Sequence, residues 1–444
     1  MCGIVSIHSA EIQLPPRREL ISHVICSLGV YWGKSSALIL KLPISNLQSE
    51  IIISIPLKLK AIELPNWAAY CGIKNELLVP QECIPNNFIQ TDWQKVDWWL
   101  AIFLMLEGWH ERIWEKANGC IHSYSYKLKG WDTRAWEHAW VNRIALFMRE
   151  WVLQTKNLDE VQIFGCKPKP FIHISFDVDA ISKTIPIRIK QSCFNFFNAA
   201  RLARQLKFID GLEKIYKGIK FLLSFENWDK FDYLIGELEK RKIKATFNFF
   251  SGQRSNLKAW IMDPGYDINS PKIKTLIHKL HARGHSIGLH PSYDSYTDSI
   301  KLRSEKKALE DASGIKVHSS RQHWLRFEWA STLQNLEEAQ ILKDTTLMFN
   351  DRHGFRTSSC IEWNSWNHVN QIPHKIKSLP TFLMDSHLYD YNLKRNSSHK
   401  EDINHLMDEC KNVYGHCFVV WHPHTLTNDY NWNEAFDYLL ENLF

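Results

Sequence analysis

The sequence predicts an α/β fold: a parallel barrel of about seven strand–helix units, preceded by an α+β region. Three observations lead to this expectation. Beyond residue 165, strand-like runs alternate with helix-like ones. Residues capable of chemistry fall at the ends of those runs, where parallel barrels carry their sites. Gly165-Cys166-Lys167-Pro168-Lys169-Pro170 interrupts any regular structure, which places a domain boundary between 1–165 and 166–444.

Length and composition bound the answer. A chain of 444 residues can bury a large core and is expected to form two or three domains. The net charge of +6 is small for that length and no Lys/Arg block stands out, so nucleic acid is not an expected partner. The longest apolar runs, such as 98–106, are far too short to span a bilayer. The opening Met1–Ile7 lacks a basic segment followed by an apolar core, so no signal peptide is expected and a cytoplasmic location is. Ten cysteines are scattered without a C-x-x-C pair and read as mostly reduced, buried thiols. Met1-Cys2-Gly3-Ile4-Val5 resembles the start of class II glutamine amidotransferases, but Gln13–Arg18 lacks the segments that domain uses for glutamine; a plain first strand is the simpler reading.

In the first part, 20–28 reads as a short helix and 37–57 as strands with a hairpin at Pro43–Asn46. Residues 93–151 are helical in character and rich in tryptophan. Such rings can stack on sugars, but at helical spacing they read first as core or domain interface. In the second part the candidate strands are 171–176, 245–250, 285–290, 316–320, a weaker one at 345–349, 378–384 and 417–421. Helices are expected at 228–242, with an apolar face from Trp228 to Leu238, and at 271–283, ending at Gly284.

The first of these strands ends in Asp177-Val178-Asp179. Alternation along a strand points both carboxylates the same way, toward a metal ion or a proton-transfer site. Read alone, the stretch could equally be a turn capped by aspartates. Other strands end in His290, in Arg321 and in His422, so acid, ligand, cation and histidine gather on one rim.

Five places carry a resemblance to the NodB-type polysaccharide deacetylases, whose distorted barrel holds one divalent metal. They are Ser175-Phe176-Asp177-Val178-Asp179, Ala245–Phe250, Gly284-His285-Ser286-Ile287-Gly288-Leu289-His290, Arg321 with Trp324, and Trp421-His422. Asp344-Thr345-Thr346-Leu347 with Gly354-Phe355-Arg356 is similar to the tail of an atypical branch related to peptidoglycan deacetylases. The part before residue 165 resembles an uncharacterised region that precedes such domains in some bacterial proteins.

The resemblance implies a metal-dependent N-acetyl deacetylase acting on an acetamido sugar, polysaccharide or peptidoglycan-type substrate. Asp179 and His290 would hold a divalent Zn, Mn, Fe or Co ion, with Asp294 where the family's His-x-x-x-His pattern has its second histidine. His285 is an alternative third ligand, but five residues from His290 on a strand it faces the other way and reads as a buried, hydrogen-bonded histidine. Asp177 would be the base, Arg321 its orienting partner, and His422 the acid, with His424 a possible replacement for His422. Hydrolysis of another small amide or cyclic imide, or a catalytically silent glycan-binding relative, are the alternatives.

Overall fold

The computed structural model describes residues 12–48, 51–156, 159–204, 206–391 and 399–443; the Met1–Val5 opening lies outside them. The first part runs α1 (Arg17–Trp32), α2 (Ser36–Ile39), β1 (Leu59–Glu63), β2 (Glu76–Pro80), α3 (Trp98–Leu106), α4 (Trp109–Asn118), α5 (Trp140–Lys156) and α6 (Glu160–Phe164). The strands and hairpin expected over 37–57 do not form among the described residues there. Residues 36–39 are helical, and the backbone and hydroxyl of Ser54 bond the Glu82 carboxylate where a partner strand would have been. The one hairpin ladder here is β1 against β2, two turns later.

All nine residues of α3 are buried, so it is hydrophobic all round and forms a central helix; Asp97 caps it by accepting from Leu100 N–H at 3.0 Å. Trp98, Trp99, Trp109, Trp131, Trp136, Trp140 and Trp151 all point inward.

The second part runs β3 (Phe171–Val178), α7 (Ile185–Arg204), α8 (Phe208–Leu223), α9 (Phe231–Lys240), β4 (Thr246–Phe249), α10 (Leu257–Met262), α11 (Pro271–Ala282), β5 (Ser286–Leu289), α12 (Ser299–Ser313), β6 (Ser319–Ser320), α13 (Thr332–Glu338) and β7 (Lys343–Asp344). There follow a small hairpin, β8 (Trp366–Asn367) with β9 (Ile372–Pro373), then β10 (Lys377–Ser378), β11 (Thr381–Met384), α14 (Asp385–Tyr389), α15 (His399–Asn412), β12 (His416–Trp421) and α16 (Asn433–Asn442). Helix α11 begins at a Ser270 cap with Pro271 in its first turn, and Gly284 follows it at φ 79°.

Eight strands form one parallel sheet in the order β10-β7-β6-β5-β4-β3-β12-β11, curled into a half-barrel with helices outside. The candidate strand 378–384 is split. Lys377–Ser378 pairs with β7 at one edge and Thr381–Met384 with β12 at the other, so Leu379-Pro380 carries the chain across the seam. Counted as one, that segment gives seven strands, but the strand expected at 345–349 does not form: its place in the sheet is taken by Lys343–Asp344, just before it.

The two parts of the chain share one hydrophobic core. Buried ion pairs cross between them. Glu107 receives His23 Nε2 at 2.7 Å, Arg112 Nη2 at 2.8 Å, Ser365 Oγ at 2.7 Å, Trp366 N–H at 2.7 Å and Trp363 Nε1 at 3.0 Å. Arg356 pairs with Glu111 at 2.8 Å, and Arg143 grips Glu409 with two bonds at 2.8 and 2.6 Å. Cys360 also meets Cys410 and Cys417 in the core.

Burial opposes the Glu409 carboxylate, but His138 and Arg143 outweigh it and hold its pKa down at about 2. A folded value below the unfolded one stabilises fully above the unfolded pKa and loses that contribution as pH falls toward the folded one. The loss amounts to about 3 kcal/mol between roughly pH 5 and 2. Urea titrations of wild type and Glu409→Gln across this range should show the steeper acid loss in the wild type; parallel curves would refute the assignment.

Candidate active site

The site occupies the C-terminal rim of the sheet. β3 places Asp177 as its penultimate residue, buried at 3% exposure, and Asp179 just beyond its end. Asp177 Oδ1 accepts from Asn248 Nδ2 at 2.8 Å, its register partner on β4, and from Arg321 Nη1 at 3.1 Å. The guanidinium, fully buried, also donates to Ser175 Oγ at 2.7 Å, to the Thr345 carbonyl at 3.2 Å and to Thr381 Oγ1 at 3.4 Å. Burial works against the charge on Asp177, but Arg321, His290 and His422 hold its carboxyl below the usual range.

Gly288 is required beside this pair, because a Cβ there would come within 2.2 Å of Asn248 Oδ1. Any side chain at 288 pushes Asn248 off Asp177.

Asp179 faces three histidines. Its Oδ1 lies 3.2 Å from His290 Nε2 and 3.4 Å from His323 Nδ1, and its Oδ2 lies 3.5 Å from His422 Nε2. His290 Nδ1 sits 2.7 Å from the Arg321 carbonyl, and His323 Nε2 sits 2.8 Å from the Met262 carbonyl. Each carbonyl takes a ring N–H, which leaves bare lone pairs on His290 Nε2 and His323 Nδ1, 2.8 Å apart and facing each other. Asp179 Oδ1 is buried there without a hydrogen-bond partner. Three lone-pair donors converging on one point require a positive charge between them, either a proton or a metal ion. Two imidazoles and a carboxylate suit a divalent transition metal. The residues present therefore fit the metal that the sequence resemblance implies.

Electrostatics agree with this picture. Burial disfavours a charged His290, yet Asp177 and Asp179 raise its pKa. Burial and His290 press His323 down to about 4 against the pull of Asp179. Asp179 itself is depressed well below the carboxylate range, since His323, His290 and His422 outweigh its burial.

Across the rim, Asp385, fully buried at the end of β11, accepts from His422 Nδ1 at 2.8 Å and from the His422 backbone N–H at 2.9 Å, with Thr425 Oγ1 at 3.0 Å. Although burial opposes its charge, Asp385, Asp179 and Asp177 raise the His422 pKa to about 10. Trp324 stands half-buried at the edge, its backbone left-handed at φ 56° and its indole Nε1 donating to the Met262 carbonyl at 3.2 Å.

Of the residues singled out in the sequence, the structure brings Asp177, Asp179, His290, Arg321 and His422 together. It does not bring Asp294. An i,i+4 pair shares a face only on a helix, and Pro291–Asp294 is a non-helical turn, pinned where Glu305 accepts the Ser292 N–H at 2.9 Å. The half-exposed Asp294 carboxylate pairs with Lys258 Nζ at 2.7 Å. His285 accepts the Ala245 N–H at 3.2 Å, and His424 stacks on Trp228 with ring centres 5.2 Å apart; neither joins the cluster. His323 takes the place expected for Asp294. Its signal was the position two residues after Arg321, on the same strand exit. Asp385 had one as well, directly following the strand candidate 378–384.

No protein-family model and no curated protein matches the sequence. Among solved structures the chain is similar to a Mycobacterium smegmatis protein assigned as a polysaccharide deacetylase, at 15% identity and a TM-score of 0.35, over 63% of this chain and 86% of that one. It is similar to a polysaccharide deacetylase from Bacillus cereus at 11% identity and a TM-score of 0.27, over 62% and 87%. A CE4 family pseudoenzyme from Bacillus anthracis matches at 10% identity and a TM-score of 0.28, over 62% and 60%. The likeness concerns the fold alone.

Proposed function

We propose that this protein is a metal-dependent hydrolase that removes the N-acetyl group from an acetamido sugar. The observation that carries the reading is the convergence of Asp179 Oδ1, His290 Nε2 and His323 Nδ1, flanked on one side by the Asp177–Arg321 pair and on the other by His422–Asp385. A divalent metal held by those three atoms supplies a Lewis acid that polarises the amide carbonyl and acidifies a water molecule.

The chain's own residues do the rest. Asp177, kept ionised by Arg321 and aimed by Asn248, takes the proton released when water attacks the carbonyl carbon. His422, its Nδ1 tied to Asp385, presents Nε2 to the departing nitrogen and protonates it as the C–N bond breaks, leaving acetate and an amine. Trp324 offers an aromatic face at the rim for a sugar ring.

The ligand set is tested by metal analysis of purified protein loaded with Zn, Mn or Co, alongside acetate release from N-acetylated oligosaccharides. Wild type is expected to retain about one equivalent of metal, held by three protein ligands with a position left open for water. His290→Ala and His323→Ala should lose it, and Asp294→Ala should keep it. Loss of metal in Asp294→Ala with retention in His323→Ala would overturn the set. A wild type that neither retains metal nor releases acetate would be a catalytically silent relative.

A further inference from the structure

Helices α7 and α8 form a hairpin that is built inside out. Its buried positions are Ser192, Asn195, Ala199, Gly211, Gly218 and Phe221, nearly all small or polar. The two helices approach closely through them: Ser192 Oγ donates to the Gly218 carbonyl at 2.8 Å, and a Cβ on Gly211 would lie 3.3 Å from the Ala199 carbonyl oxygen. Large apolar side chains point away from the protein instead. Along α8, Ile209 (83% exposed), Leu212, Tyr216, Ile219 and Leu223 recur at helical spacing and make one outward stripe, with Phe197 (67%) beside it on α7. An amphipathic helix of a water-soluble chain turns such a stripe toward its core. Here the core side holds glycine and serine.

Charge is segregated in the same place. Residues 185–223 carry eight Lys and Arg against two Asp and Glu, a net of +6, which equals the formal net charge of the whole chain. The rest of the protein is balanced. Apolar side chains bordered by lysine and arginine match the chemistry of an anionic lipid surface. A second copy of the chain is disfavoured by the same charge, because a two-fold contact would set one +6 face against another. No helix among the described residues is long and apolar enough to cross a membrane, so the hairpin would lie in the interface.

The patch also reaches the site. Lys190 Nζ on α7 donates to the Ile261 carbonyl of α10 at 2.9 Å and sits 5.2 Å from the Trp324 ring centre. The exposed Trp260 and Ile261 extend the apolar surface toward Met262, whose carbonyl holds His323.

We propose that the α7–α8 hairpin docks this protein onto an anionic lipid surface, with its apolar stripe at the headgroup–acyl boundary and its exposed basic side chains, Arg201, Arg204, Lys207 and Lys220 among them, at the phosphates. Docked this way, the rim that bears Trp324 and the Asp179 cluster lies next to the membrane. Combined with the deacetylase reading, on which this last step rests, the substrate class is an acetamido sugar carried on a lipid.

The test uses the full chain and needs no turnover. Co-sedimentation with phosphatidylglycerol-containing vesicles at low salt should pellet the wild type, with binding to pure phosphatidylcholine weaker by about tenfold or more. Ile209→Ser combined with Leu212→Ser should abolish pelleting while circular dichroism, melting temperature and acetate release from a short soluble oligosaccharide stay unchanged. No pelleting of the wild type, or equal pelleting of the double variant, would overturn the proposal. So would a wild-type dimer in sedimentation velocity that the double variant breaks without any vesicle binding, since the surface would then belong to self-association. Failure of the deacetylase reading would show separately, as absence of acetate release with vesicle binding intact.

Discussion

Asp177→Asn should lower acetate release by about two to four orders of magnitude, the range lost when a positioned base is removed. The substitution keeps the side chain's shape and leaves Asp179, His290 and His323 in place, so metal content should match the wild type. That pairing separates a base from a ligand. The cost of the change is electrostatic: the Arg321 guanidinium, wholly buried, would lose the one carboxylate within 4 Å recorded for it among the described residues. Folding should therefore be followed by urea denaturation in parallel. Turnover within a few-fold of wild type would rule Asp177 out as the base, and loss of metal would make it a ligand.

The largest effect on stability is expected at Glu107, remote from the rim. Its fully buried carboxylate, depressed to about 2 because His23 and Arg112 outweigh its burial, takes five donors from three stretches of chain. Glu107→Ala would leave the Trp363, Ser365 and Trp366 donors in the interior without the acceptor they share, and the buried Arg112 guanidinium without its carboxylate partner. Removing one partner of such a pair costs about 3–5 kcal/mol. Urea denaturation should show that loss as a lower midpoint, and a change below about 1 kcal/mol, typical of exposed pairs, would refute it. The same network ties α3 and α4 to the β8–β9 segment, so a fragment starting after residue 165 should expose apolar core and be recovered insoluble.

How legible the site was depended on what each residue's position relied on. Asp177, His290, Arg321 and His422 follow from strand ends, because a parallel sheet delivers those ends to one rim whatever the loops do. Asp294 relied on the spacing of the family's His-x-x-x-His pattern, and the sequence between it and His290, Pro291-Ser292-Tyr293, holds no sign that Glu305 would pin that turn. His323 comes from a different strand exit, so no local spacing pairs it with His290. The fold shows the same division. Six of the strand segments were readable from composition; the seventh formed at Lys343–Asp344 instead of 345–349, and the split at Leu379-Pro380 reflects partners at opposite edges of the sheet. Residues 185–223 show the reverse case. Their periodicity is plain, but periodicity alone does not say which side of a helix meets water.

That split has a consequence for the bore of the barrel. Elsewhere around the ring, neighbouring strands are locked by ladders, and widening the ring means breaking hydrogen bonds. At the seam the circumference is set by two residues of covalent chain and by Thr381, whose N–H and hydroxyl donate to the Leu347 and Thr345 carbonyls at 3.3 and 3.0 Å. Lengthening the link between Ser378 and Thr381 would let the mouth open by a few ångströms, about one residue's reach for each residue added, with every ladder intact and the Thr381 bonds alone to give way. The size of substrate the rim admits is thus adjustable by insertion at a single point, with Thr381, which accepts from Arg321, as the residue that links the seam to the site.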